Sequence, residues 1–318
     1  MTDNKIKVLA VVGPTASGKT ALAVQLAKKF NGEIVSADSM QIYKEMNIAS
    51  AKPTKEEMQG IPHYMIDYLP PQNQSSVSDY VQMAHKIIKT INDNKKLPIV
   101  AGGTGLYIDS LLNNLSFAKE EGNQIIREKL NERLNNEGIQ QLYDELKTID
   151  PEAAANIHIN NTKRVLRALE IYYSTGKTMT RQKIDSRAVP SPYDTVYIGL
   201  KCADRENLYN RINKRVDNML EQGLLNEAKE MLGKDLSATA GAAIGYKELK
   251  PYFDGAISLN EAVENLKRET RRYAKRQLTW FMRNGKINWI DIDLLDFDIS
   301  KVLRRAVEIC ERGGIYGN

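Results

Sequence analysis

The chain has 318 residues, with 45 Lys and Arg against 40 Asp and Glu, and a formal net charge of +5. Apolar residues at 42% and charged residues at 27% fit a globular protein of roughly two domains. No apolar run reaches membrane-spanning length, no metal spacing joins Cys202 to Cys310, and the charge permits a polyanionic partner without requiring one.

Residues 1–7 are polar, and the apolar run after them is too short for a signal peptide. A cytoplasmic protein with reduced thiols is expected. Val8-Leu9-Ala10-Val11-Val12 reads as a strand buried on both faces. Gly13-Pro14-Thr15-Ala16-Ser17-Gly18-Lys19-Thr20 follows and fits the phosphate-loop pattern G-x-x-x-x-G-K-[ST] in full. Leu22, Ala23, Leu26, Ala27 and Phe30 then recur at helical spacing. In such a unit, backbone N–H groups and the helix dipole converge on phosphate oxygens. Lys19 adds a mobile charge, and the Thr20 hydroxyl is placed to ligate magnesium (Mg2+). A nucleoside triphosphate and an organic diphosphate present the same terminal group, so the loop alone leaves its ligand open.

Glu33-Ile34-Val35-Ser36-Ala37-Asp38 reads as a second strand. Ligands of parallel α/β sheets sit beyond the carboxyl ends of the strands. Asp38 is therefore either a base or indirect metal partner near the phosphates, or a turn or helix-capping aspartate. His63, in a proline-bracketed stretch, reads as structural. Residues 77–92 are amphipathic and helical. Pro98-Ile99-Val100-Ala101 is a third buried strand, and Gly102-Gly103-Thr104-Gly105-Leu106-Tyr107 leaves its end. These small residues and the Thr104 hydroxyl suit close ligand approach, or simply a tight turn. The strand does not end in the acidic residue that nucleotide hydrolases use for magnesium, which weakens an ATPase reading.

Residues 116–193 turn helical, with helices expected over 125–134, 139–147 and 161–174 and a return linker at 187–193. Thr162-Lys163-Arg164-Val165-Leu166-Arg167 puts Val165 and Leu166 inward and its basic residues on another side. Thr195-Val196-Tyr197-Ile198-Gly199-Leu200 resumes strand texture. A long helical zone over 205–232 puts Arg211 and Arg215 one turn apart on a common face. Ala242-Ala243-Ile244-Gly245-Tyr246-Lys247 supplies small residues before a helix. Residues 262–283 set Val263, Leu266, Thr270, Tyr273, Gln277 and Phe281 on one face, with Arg268, Arg272, Lys275, Arg276 and Arg283 on another. Basic residues with Trp280 nearby form a nucleic-acid footprint or a solvated charged face. A strand over 287–292 and a helix over 299–312 end the chain.

Together the phosphate loop, Ala37-Asp38-Ser39-Met40-Gln41-Ile42-Tyr43, Ala51-Lys52-Pro53, Gly102 to Tyr107, Arg164-Val165-Leu166-Arg167-Ala168-Leu169-Glu170, Ile244-Gly245-Tyr246 and Arg272-Tyr273-Ala274-Lys275-Arg276-Gln277-Leu278-Thr279-Trp280 stand in an order that resembles one family. That family is the bacterial tRNA dimethylallyltransferases, also called tRNA isopentenyltransferases. The resemblance implies an α/β fold, with a P-loop NTPase-like parallel sheet core over 1–115 and 196–318. It also implies a helical insertion over 116–195 that grips the tRNA anticodon stem-loop. The reaction implied moves a dimethylallyl group from dimethylallyl diphosphate to the exocyclic amine of the adenosine 3′ of the anticodon. By the resemblance, Gly13 to Thr20 holds the diphosphate with magnesium at Thr20. Asp38 is the catalytic aspartate, Thr104 lies near the leaving oxygen, and Arg215 binds diphosphate, with Arg211 the alternative. The tRNA contacts implied are Asp38 to Gln41, Thr162 to Arg167, Ala242 to Lys247, and the basic face of Arg272, Lys275 and Arg276. A monomer without membrane contact is expected. Three other readings stay open: a prenyltransferase acting on free AMP or ATP, a small-molecule P-loop kinase, and an RNA-binding module with a vestigial loop.

Overall fold

A computed structural model describes residues 5–115 and 123–317. Six strands form one sheet: β1 Ile6–Val12, β2 Gly32–Ser36, β3 His63–Tyr64, β4 Leu97–Gly102, β5 Tyr193–Lys201 and β6 Ile287–Asp291. Their order is β3-β2-β4-β1-β5-β6, and every pairing is parallel. Parallel strands need crossovers that cover both faces, so central strands are apolar throughout. β1 shows this directly. Val8, Ala10 and Val12 pack on one face with Tyr80, Ile88, Tyr107 and Phe281. Leu9 and Val11 pack on the other with Leu22, Leu26, Val302 and Ile309. The α/β core expected from the sequence is present, with helices on both faces.

The described residues divide into two compact units, Met1–Leu112 with Pro192–Asn318, and Asn113–Ser191. The expected insertion boundary at 116 lies outside the described residues. The expected end at 195 is corrected, because Tyr193 and Asp194 already pair with Ile6 and Lys7 in the sheet. The Asn113–Ser191 unit is helical and has its own core of Leu142, Leu146, Val165 and Leu169. Its first helical element, Asn123–Ile149, breaks at Gly138, where φ is 80°. The long zone at 205–232 is likewise two helices, Arg205–Glu221 and Leu224–Leu232, because Gly223 adopts φ 100° between them. The basic helix runs from Leu259 to Phe281 and starts in a reciprocal cap between Ser258 and Glu261. A further apolar cluster, including Ile42, Tyr43, Val216, Tyr246 and Leu266, joins it to the segment after β2.

Candidate active site

The phosphate loop leaves β1 at Gly13, whose φ of 145° suits glycine alone. A Cβ there would fall 2.4 Å from the Leu200 carbonyl oxygen on β5. Gly18, with φ 87°, sets the start of the Lys19–Lys29 helix. That helix has no side-chain cap and no acidic residue in its first turn, so its N–H groups remain for an anion. The Lys19 Nζ donates to the Pro14 carbonyl at 2.6 Å, closing the loop on itself. Burial, then the Arg215 guanidinium, push the Lys19 ammonium down to about 7, while Asp38 pulls the other way.

Asp38 follows β2, beside the turn after β4. Its Oδ1 accepts from the N–H of Met40 at 2.9 Å and of Gln41 at 3.3 Å. Asp38 is thus a turn aspartate that also lines the cavity beside Lys19 and Thr20. The Thr104 Oγ1 accepts from the Ser39 N–H at 3.0 Å, tying the β4 turn to the β2 loop. Gln41 is anchored by Ser36 at 3.0 Å and by the Ala51 carbonyl at 3.2 Å.

One cavity of about 300 Å³ gathers these groups. Thr15, Lys19 and Thr20 come from the phosphate loop, and Asp38, Ser39, Met40 and Gln41 from the β2 loop. Arg215 enters from the Arg205–Glu221 helix. Ala242, Ala243, Ile244, Gly245 and Lys247 form another side, and Arg276 a further one. Val216, Met219, Leu224 and Leu266 give the cavity an apolar wall.

Several expectations are corrected. Of the two arginines offered for the diphosphate, Arg215 lines the cavity and Arg211 does not. Arg215 is half-buried there, where desolvation lowers its pKa and Asp38 opposes that shift. Arg211 donates to the Ala16 carbonyl at 2.8 Å and stacks over Phe297, bracing the loop from behind. Thr104 is not among the lining residues, and its Oγ1 accepts from the N–H of Ser39, which is. Val165 is fully buried and offers no side chain to RNA, while Leu166 is half-buried against the same cluster. Arg167 pairs with Glu170, which leaves Lys163 and Arg164 as the exposed cations of that segment. Tyr246 is fully buried, with its hydroxyl on Glu227. Trp280 is no free stacking platform, since its Nε1 donates to Asp109 at 2.7 Å and its ring lies against Gly105. Arg272 pairs with Glu269, and Lys275 is exposed.

Sequence reasoning missed the lining roles of Tyr273 and Gln277, which it assigned only to an inward helix face. It also missed the apolar wall, whose Val216 and Met219 read as ordinary core stripe. Metal fit can be judged from the donors present. Among the described residues no cluster of three His, Cys, Asp or Glu could hold a metal. The cavity offers the Thr20 hydroxyl and the Asp38 carboxylate, hard oxygens too few for a cage of protein ligands. That set fits magnesium, which keeps waters and takes phosphate oxygens. No helix among the described residues is long and apolar enough to cross a membrane.

A profile of the family described as IPP transferase matches residues 41–284. The tRNA dimethylallyltransferase of Thermoanaerobacter sp. (strain X514) is 50% identical over 91% of this chain and 92% of its own. That of Bacillus subtilis (strain 168) is 48% identical over 95% and 96%. The crystal structure of a full-length tRNA isopentenylpyrophosphate transferase from Bacillus halodurans aligns with TM-score 0.71 at 43% identity, covering 98% of each chain. A eukaryotic dimethylallyltransferase acting on tRNA aligns with TM-score 0.78 at 31% identity, over 95% of this chain and 78% of that one. With matches of that length on both sides, the chain belongs to the IPP transferase family.

Proposed function

We propose that this protein transfers a dimethylallyl group from dimethylallyl diphosphate to the exocyclic N6 amine of an adenosine in the tRNA anticodon loop, 3′ of the anticodon, releasing diphosphate. The observation that carries the reading is one cavity in which a phosphate loop and Arg215 face Asp38 beside an apolar wall. That combination suits a small apolar group esterified to a diphosphate. The relatives' names supply tRNA as the acceptor, and exposed Lys163 and Arg164 suit its phosphates. The protein then works in the cytoplasm as a monomer, gripping the anticodon stem-loop partly through its helical insertion.

The chemistry follows from these groups. The N6 amine is a poor nucleophile because its lone pair is delocalised into adenine. Rate must come from holding it against the allylic carbon and from stabilising the departing diphosphate. Loop N–H groups, Lys19 and Arg215 bind the diphosphate oxygens. The Thr20 hydroxyl would help hold a magnesium ion, which would supply further positive charge to the leaving diphosphate. The C–O bond of the donor breaks as the N6–carbon bond forms, and the amine proton passes to Asp38. The backbone bonds of Met40 and Gln41 fall on Oδ1 of Asp38 and fix the carboxylate's direction. A target base stacked in a loop has to flip out to reach this cavity.

The test mixes the protein with magnesium, labelled dimethylallyl diphosphate and either unmodified tRNA or AMP. Label on tRNA adenosine and none on AMP is the expected result. Label on AMP would move the acceptor to a free nucleotide. Label on neither, with the diphosphate unbound, would return the loop to ATP.

A further inference from the structure

Gln277 stands on the inner face of the Leu259–Phe281 helix, 6% exposed. A buried amide costs free energy unless both of its ends find partners, and here both do. Its Oε1 accepts from the Thr15 N–H at 2.8 Å, and its Nε2 donates to the Gly103 carbonyl at 2.9 Å. Thr15 belongs to the phosphate loop and Gly103 to the turn after β4. A single side chain therefore bridges the two backbone segments on either side of the cavity. The fit is close, since a Cβ on Gly103 would fall 2.2 Å from Nε2. One turn earlier, Tyr273 reaches both Thr104 and Gln277, and Thr104 holds Ser39 next to Asp38. Lys275 and Arg276 of the same helix are exposed, Arg276 at the cavity's edge.

We propose that Gln277 is a positioning residue for the donor site, and that through it RNA docked on the basic face of this helix sets the shape of the phosphate loop. The inference rests on the prenyl transfer to RNA proposed above. Gln277 acts through Thr15 and Gly103. With both bonds made, the loop holds its diphosphate-binding shape before the donor arrives, which lowers the cost of ordering it on binding. With RNA docked on the exposed cations of this helix, the bridge would couple the two sites, and diphosphate and RNA would raise each other's affinity by one common factor.

The test uses Gln277→Met, which keeps length and loses both bonds, and Gln277→Glu. Inorganic diphosphate with magnesium is titrated by calorimetry with and without an anticodon stem-loop RNA, and kcat and KM are measured on tRNA. In the wild type, RNA should tighten diphosphate binding about tenfold. In Gln277→Met, diphosphate alone should bind about tenfold more weakly, because the Thr15 N–H and the Gly103 carbonyl both lose their partner. The RNA effect should vanish, and RNA affinity without diphosphate should stay unchanged. The KM for dimethylallyl diphosphate should rise by a similar factor. The Gln277→Glu carboxylate still accepts from Thr15 but regains a donor for Gly103 only when protonated, so its diphosphate affinity should recover toward the wild type as pH falls. A Met variant with wild-type diphosphate affinity, or one that keeps the RNA effect, overturns the proposal. So does a Glu variant that tracks the wild type at every pH. If the wild type transfers no prenyl group while the diphosphate titrations behave as stated, the acceptor reading fails and the positioning role stands.

Discussion

Lys19 carries a charge that its own surroundings do not favour. Its pKa of about 7 arises from burial and the nearby Arg215. An arriving diphosphate places negative charge beside the ammonium and outweighs both causes, so the bound ammonium titrates higher. Above about pH 7 the protein must therefore take up a proton when diphosphate binds, and affinity should fall as pH rises through that range. Calorimetry near about pH 8, in buffers of differing ionisation enthalpy, should show uptake of up to one proton; binding with no proton exchange would sink this account of Lys19. The stability sign is opposite to that of a paired lysine. Between about 7 and the ordinary 10.5 the unfolded chain binds more protons than the folded chain, so Lys19 adds stability as pH rises across that window. Asp38 gives a second prediction at this scale. Asp38→Asn keeps an oxygen for the Met40 and Gln41 N–H groups and loses the base. Its kcat should drop about a hundred- to ten-thousand-fold while tRNA still binds. Near-normal turnover would remove Asp38 from the proton transfer.

Packing at the carboxyl ends of β2 and β4 belongs to the scale of elements. A Cβ on Gly102 would fall 2.2 Å from the Ala37 carbonyl oxygen and 2.5 Å from its carbon. Both are backbone atoms, so no side chain can swing aside. Gly102→Ala should cost about 3 kcal/mol, read as a lower urea midpoint; an unchanged midpoint would mean these strand ends have slack. The elements were largely legible in the sequence because their signals are local. The phosphate loop is a contiguous pattern, and Asp38 is found by counting to the end of a strand. The capping pair Ser258 and Glu261 was overlooked, although it too is local. Gln277 was not legible in principle. Its partners Thr15 and Gly103 are distant in sequence, and a buried amide on a helix face reads like any other inward residue. Arg211 and Arg215 share a face in projection, and only the loop behind them assigns one to Ala16 and the other to the cavity.

For the whole molecule, the net charge of +5 does not say which cations are available to RNA. Many surface cations are already paired, as Arg127 and Arg167 are with Glu170 and Arg272 is with Glu269. Exposed Lys163 and Arg164 make no such pair among the described contacts. Replacing either with Gln should reduce the slope of log affinity against log salt by about one. A slope identical to the wild type would exclude that segment from the phosphate footprint. The strand order has another consequence. β1 lies at the centre of the sheet between β4 and β5, yet β5 follows the whole Asn113–Ser191 unit in the chain. On a ribosome, β1, β2 and β4 emerge early with one edge of the sheet unpaired, while the helical unit, whose contacts are short in sequence, can close first. The phosphate loop gains its Leu200 wall only when β5 arrives. The nascent chain thus carries an incomplete sheet through most of its synthesis, and ligand binding by the loop marks the point at which the core has been sealed.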